Sequence, residues 1–168
     1  GIYSSETGII DVPEFITALE GDIQHNGGTV AFNTSFKSAA KVDNLFEIIC
    51  DNGNEFMVQA KNLVNAAGLT SDLSSRNIKQ LDKKYNHPIH FAKGHYFKYS
   101  GSHPFHSLVY PLSDEFSLGI HVGFDISGQL RFGPDLTWVQ SLDFSFDESL
   151  KEKFIAAIHS YWPNMDPE

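Results

Sequence analysis

Asn62-Leu63-Val64-Asn65-Ala66-Ala67-Gly68-Leu69-Thr70-Ser71-Asp72 is the stretch that decides the fold. Leu63 to Ala67 is a short apolar run that predicts a strand covered on both faces. It leads straight into small residues, and Thr70 or Ser71 is placed to cap a helix reaching about Tyr85, with Leu73, Ile78 and Leu81 turned inward. A strand ending in Ala-Ala-Gly lets backbone approach a flat or phosphorylated group that a larger side chain would hold off.

Upstream of this corner the sequence predicts one helix and then strands. Asp11 caps, Pro13 suits the first turn, and Glu14 stands three residues after Asp11. Phe15, Ile16, Leu19 and Ile23 form one apolar stripe, and Asn26-Gly27-Gly28 stops the helix. Thr29–Ser35, Phe36–Val42, Leu45–Cys50 and Phe56–Ala60 then alternate with a period of two. Asp51-Asn52-Gly53-Asn54 predicts a hairpin turn between the last two.

Downstream, His87-Pro88 marks a boundary, after which the chain becomes aromatic and β-rich. Strands are expected at 90–99, 107–112, 117–125 and 129–133, in one antiparallel sheet. Asp147 to Trp162 closes as a helix, with Leu150, Phe154, Ile158 and Trp162 at near-four spacing and Pro163 beyond. The fold class that follows is α+β.

Composition narrows the function. Hydrophobic residues make up 41% and charged residues 20% of the 168, an ordinary balance for a folded globular chain. The net charge of −9 argues against nucleic acid or an anionic membrane as partner and leaves an anionic substrate only through a local cationic pocket. No run approaches the roughly 18 apolar residues of a membrane span, and no signal peptide opens the chain. The single cysteine, Cys50, excludes a disulfide framework and reads as strand packing rather than a catalytic thiol. His103-x-x-His106 comes nearest to a metal pair, but Pro104 disfavours a helical chelate and no further ligand lies nearby, so no metal is expected. The start at Gly1 and the stop at Glu168, just past an expected helix, read as ends cut from something longer.

Six blocks fit one family in order and spacing: Tyr3-Ser4-Ser5-Glu6-Thr7-Gly8-Ile9-Ile10-Asp11, Val64-Asn65-Ala66-Ala67-Gly68, Lys93-Gly94-His95-Tyr96-Phe97, Val109-Tyr110-Pro111-Leu112, Gly119-Ile120-His121 and Arg131-Phe132-Gly133-Pro134-Asp135. Together they resemble the D-amino-acid-oxidase-like FAD-dependent oxidoreductases, most closely the L-2-hydroxyglutarate dehydrogenase branch. The resemblance implies a partial FAD-binding, Rossmann-like domain over 1–86, containing the helix, a β-meander and the Ala-Ala-Gly corner. Residues 87–168 would form an antiparallel-sheet substrate domain with flanking helices. No Gly-x-Gly-x-x-Gly opens a helix anywhere in the chain, so FAD is expected in the full-length parent and not in the isolated chain, which is expected to be inactive.

The resemblance also implies roles. Ala66, Ala67 and Gly68 match the turn beside the FAD diphosphate and ribose, and Phe36 matches a strand position that meets the adenine. His121 matches a histidine facing the flavin, suited to orient or deprotonate a substrate hydroxyl near neutral pH. Lys93 and Arg131 are candidates to pair a substrate carboxylate, and Tyr96 and Tyr110 to reach the pocket. The implied parent oxidises a small anionic 2-hydroxy acid. An amino-acid or amine oxidase and a non-catalytic ligand-binding module are the alternatives. The electron acceptor and oligomeric state are open, a cytoplasmic location is expected, and the resemblance leaves room for peripheral membrane association of the parent.

Overall fold

A computed structural model describes residues 1–112 and 119–167, so the start of the expected 117–125 strand, including Leu118, lies outside the described residues. The chain forms two compact units, Glu20–His90 and a second made of Gly1–Leu19 with Phe91–Glu168. Each mixes helix with antiparallel sheet, as an α+β chain should. Among the described residues no helix is long and apolar enough to cross a membrane.

Helix α1 (Val12–His25) forms where the stripe predicts it. The Asp11 carboxylate accepts the Glu14 N–H at 3.1 Å, and the Gly28 N–H closes the far end on the Ile23 carbonyl at 2.8 Å. Its apolar stripe is not covered, however. Phe15, Ile16, Leu19 and Ile23 all remain largely exposed.

In the Glu20–His90 unit, β1 (Ser35–Val42), β2 (Leu45–Asp51) and β3 (Glu55–Ala60) make an antiparallel meander in the order β1-β2-β3. The expected hairpin joins β2 to β3, with the Asp51 carboxylate accepting the Gly53 N–H at 2.8 Å. Cys50 is a free thiol in the middle strand, paired across to Phe36 and Phe56. Thr29–Thr34 joins no strand. Leu63–Ala67 also has no ladder, and Val64 is exposed, because no strand flanks this run among the described residues.

The helix after the corner is shorter than expected. Gly68–Thr70 is a single 3-10 turn, followed by α2 (Ser71–Arg76). Tertiary pairing ends it. The Asn77 carbonyl accepts the Ala39 N–H at 3.1 Å, and the Lys79 N–H donates to the Ala39 carbonyl at 2.7 Å. The chain there lies beside β1 as a one-residue parallel bridge, Ala39 to Ile78, over buried Ala39.

The second unit holds two small sheets where one was expected. One pairs β4 (Phe91–Lys93) with β8 (Thr137–Val139). The other has the order β5-β7-β6, from β5 (Phe97–Lys98), β7 (Leu130–Phe132) and β6 (Val122–Phe124). The 107–112 run contributes only a bridge from Val109 to Val122. The split falls at Gly94–Tyr96 and Gly133–Leu136, loops tied to each other instead of to a ladder. There the buried Asp135 carboxylate accepts the backbone N–H of His95 at 2.8 Å and meets its ring Nδ1 at 3.0 Å.

Helix α3 (Lys151–His159) follows a 3-10 turn at Glu148–Leu150 and buries Phe154 and Ile158. These pack on Val122, Leu130 and Phe132, with Ile120 and Met165, to make the core. Trp162 joins its edge, meeting Tyr99 and Phe105 edge-on and Phe132 at a tilt. The three-stranded sheet therefore has an inner face against α3. Residues alternating with Val122, Leu130 and Phe132 point to the other face.

Candidate functional site

That outer face brings together several residues singled out in the sequence. His121 immediately precedes β6 and shares a face with Gly123, whose register partner on β7 is Arg131. A β-carbon on Gly123 would be in ordinary contact with Arg131, 3.7 Å from its Cγ and Nε. The His121 ring lies between two tyrosines, 4.7 Å from the Tyr110 ring and edge-on to Tyr96 at 6.5 Å. The Arg131 guanidinium lies over the Tyr96 ring at 4.9 Å. Four of the residues singled out in the sequence, His121, Tyr96, Tyr110 and Arg131, thus form one cluster. Both tyrosines stay partly exposed, so the cluster can be reached from solvent.

His121 Nδ1 lies 3.3 Å from the Gly119 carbonyl. A carbonyl only accepts, so Nδ1 carries the proton in this bond and the neutral ring keeps its lone pair on Nε2. Burial lowers the imidazole pKa below 6.5; the Gly119 carbonyl opposes this, and the nearby Arg131 charge adds to it. A proton acceptor of this kind is neutral at physiological pH. For any turnover in which Nε2 takes a proton, kcat/KM should fall as pH drops through the His121 pKa, with the acid limb below 6.5. A pH–rate series checks this, and a limb centred above 7 would contradict it.

The two candidate cations fare differently. The Nε of Arg131 is buried and has no acceptor among the described residues. An unspent guanidinium donor next to a neutral imidazole is suited to a carboxylate. Lys93 instead lies on β4, with its ammonium 2.8 Å from the Asp143 carboxylate and 3.0 Å from the Ser145 hydroxyl. It lines a separate cavity of about 720 Å³ with His95, Thr137 and the 143–150 segment. Its charge is already compensated there.

The candidate cofactor residues meet in the other unit. Phe36, Ala66 and Ala67 line one cavity of about 280 Å³ with Leu63, Val64, Asn65, Ser74 and Ile78, and Gly68 is the next residue in the chain. Gly68 has φ +56°, and a β-carbon there would meet nothing within 4 Å. An apolar hollow beside an open small-residue turn fits the flat, partly apolar adenosine end of FAD. Phe36, Ala66 and Ala67 are the residues that could hold it. Among the described residues no group of three or more His, Cys, Asp or Glu side chains converges as a metal site.

Two organising residues were not picked out from sequence. Asn65 staples the corner: its amide donates to the Ser71 carbonyl at 2.7 Å and the Ser75 hydroxyl at 2.9 Å, and its oxygen accepts the Ala67 N–H at 3.3 Å. The expected Thr70 cap does not form, because its hydroxyl donates back to the Ala67 carbonyl at 3.0 Å. Tyr161, beyond α3, donates its phenol to the Ile120 carbonyl at 3.0 Å, one residue before His121, and burial raises its pKa to about 12. An Asn two residues before a turn was a legible signal for the first. Nothing local marks the second, which acts across 41 positions.

The mitochondrial L-2-hydroxyglutarate dehydrogenase of Arabidopsis thaliana is 28% identical to the chain over 204 aligned positions, which cover 98% of the chain and 42% of that protein. The chain thus spans about two fifths of the length of the curated relative it matches. The family model described as DAO, FAD dependent oxidoreductase, matches residues 1–168. From its first residue to its last, the chain belongs to the DAO family of FAD-dependent oxidoreductases.

Proposed function

We propose that the protein to which this chain belongs oxidises a small 2-hydroxy acid, of the L-2-hydroxyglutarate type, to the corresponding 2-oxo acid. The observation that carries this is the pairing of a neutral, partly buried His121 with the unspent guanidinium of Arg131 on one sheet face. Oxidation at Cα removes a hydride from carbon and a proton from the hydroxyl. FAD, when bound, supplies the two-electron acceptor.

His121 Nε2 takes the hydroxyl proton, and the Nδ1 bond to the Gly119 carbonyl fixes which nitrogen is basic. Arg131 holds the substrate carboxylate, while Tyr96 and Tyr110 flank the His121 ring. Lys93 serves as an outlying charge tied to Asp143 rather than as a second carboxylate clamp. Phe36, Ala66, Ala67 and Gly68 belong to the cofactor side, a portion of a Rossmann-like domain within 1–86. The His121 cluster belongs to the substrate side, within 87–168.

Anaerobic mixing of the flavin-loaded protein with L-2-hydroxyglutarate should bleach the flavin absorbance within the mixing series. D-2-hydroxyglutarate and L-glutamate at the same concentration should bleach it far more slowly. Bleaching by glutamate alone would assign an amine oxidase instead, and bleaching by none of the three would remove this acid class.

A further inference from the structure

We propose that Asp135 is a positioning residue for the His121 base, acting through His95, Tyr96, Gly133 and the Lys153 tether; this rests on the assignment of His121 as the proton acceptor. Asp135 touches none of the reacting groups. Its carboxylate, only 1% exposed, is spent on two separate elements. Oδ1 accepts the His95 backbone N–H at 2.8 Å and meets His95 Nδ1 at 3.0 Å, while Oδ2 accepts from Lys153 Nζ on α3 at 3.1 Å. Burial works to raise its pKa, but the His95 backbone, the His95 ring and Lys153 together outweigh it and keep the group ionised.

The consequence lies one residue after His95 and two residues before Asp135. His95 is followed by Tyr96, whose ring meets His121 edge-on and lies under Arg131. Asp135 is preceded by Gly133-Pro134, and the Gly133 N–H donates to the His121 carbonyl at 3.1 Å. The two loops touch backbone to backbone. A β-carbon on Gly94 would lie 2.7 Å from Pro134 Cβ and 3.0 Å from the Asp135 carbonyl. Little slack therefore separates the carboxylate from the packing and backbone of His121. The Lys153 bond adds the helix to the same knot, so α3, both loops and the base move as one body.

The test uses the FAD-loaded protein carrying Asp135→Asn, Lys153→Met or His121→Gln. The asparagine still accepts from His95 but presents an N–H to Lys153, so one half of the knot opens. Two quantities are read: the NMR titration of the His121 ring, assigned by its loss in His121→Gln, and kcat with the hydroxy acid. Loosening wets the ring, so the His121 midpoint should rise toward 6.5 in Asp135→Asn and by less in Lys153→Met. The kcat of Asp135→Asn should fall on the order of tenfold.

A merely structural role would lower the melting temperature and leave that midpoint where it was, which overturns the proposal. Should Asp135→Asn fail to fold, Lys153→Met decides by the same midpoint: movement supports the knot and constancy overturns it. If the midpoint moves while His121→Gln keeps full turnover, Asp135 positions the ring and it is the proton-acceptor assignment that fails.

Discussion

Replacing His121 with alanine should lower kcat of the flavin-loaded protein by roughly 10²- to 10⁴-fold, the usual contribution of a positioned general base, while flavin content stays at the wild-type level. His121 lies in the unit that contains Phe91–Glu168, and the residues proposed for the cofactor lie in the other compact unit. Loss of turnover and loss of flavin are therefore separable outcomes. The same substitution separates the two enzyme classes. A hydroxy acid carries an O–H proton that must go somewhere, so the loss should be large. A neutral amine substrate has no such requirement, and an effect of less than a few-fold would point to amine oxidation. Steady-state turnover together with the flavin-to-protein absorbance ratio settles which holds.

Gly133→Ala, just past β7, should be a strongly damaging single-methyl change. The residue is buried with φ +135°, outside the range an L side chain accepts, and an added β-carbon would overlap the His95 carbonyl and lie 2.9 Å from Tyr96 Cδ1. Backbone strain and overpacking then add, for roughly 2–5 kcal/mol. For a chain of this size that is on the order of a 5–15 °C fall in Tm. Gly128 is the control. It also has positive φ, at +84°, but is exposed with nothing within 4 Å of an added β-carbon, so Gly128→Ala carries only the strain, about 1 kcal/mol. Thermal melts of the two variants check the difference. Equal shifts would mean the contact between the 94–96 and 133–135 loops contributes nothing.

Local pattern made some of this legible and long-range pairing hid the rest. Helix α1, the β2–β3 hairpin and the apolar spacing of α3 depend on neighbours within a few residues, and they lie where the sequence puts them. The helix after the corner was overextended because nothing in Ile78-Lys79-Gln80 announces that Ala39 will capture their backbone. The region after His87-Pro88 reads as one sheet because 90–99 is taken as a single strand, whereas the Asp135 carboxylate, 40 residues away, pulls His95 out of it. The same limit applies to the site. His121, Tyr96, Tyr110 and Arg131 were visible as residues of suitable chemistry, and they meet. That Lys93 would be neutralised by Asp143, 50 positions on, was not visible.

The alternation along β7 sets different rules for successive positions. Leu130 and Phe132 answer to the hydrophobic interior, whereas Arg131 lies on the opposite face over the Tyr96 ring. Lineages built on this scaffold can therefore exchange the outward residue without renegotiating how the protein folds. Inward neighbours have no such latitude, so diversification should be written in every second letter of these strands.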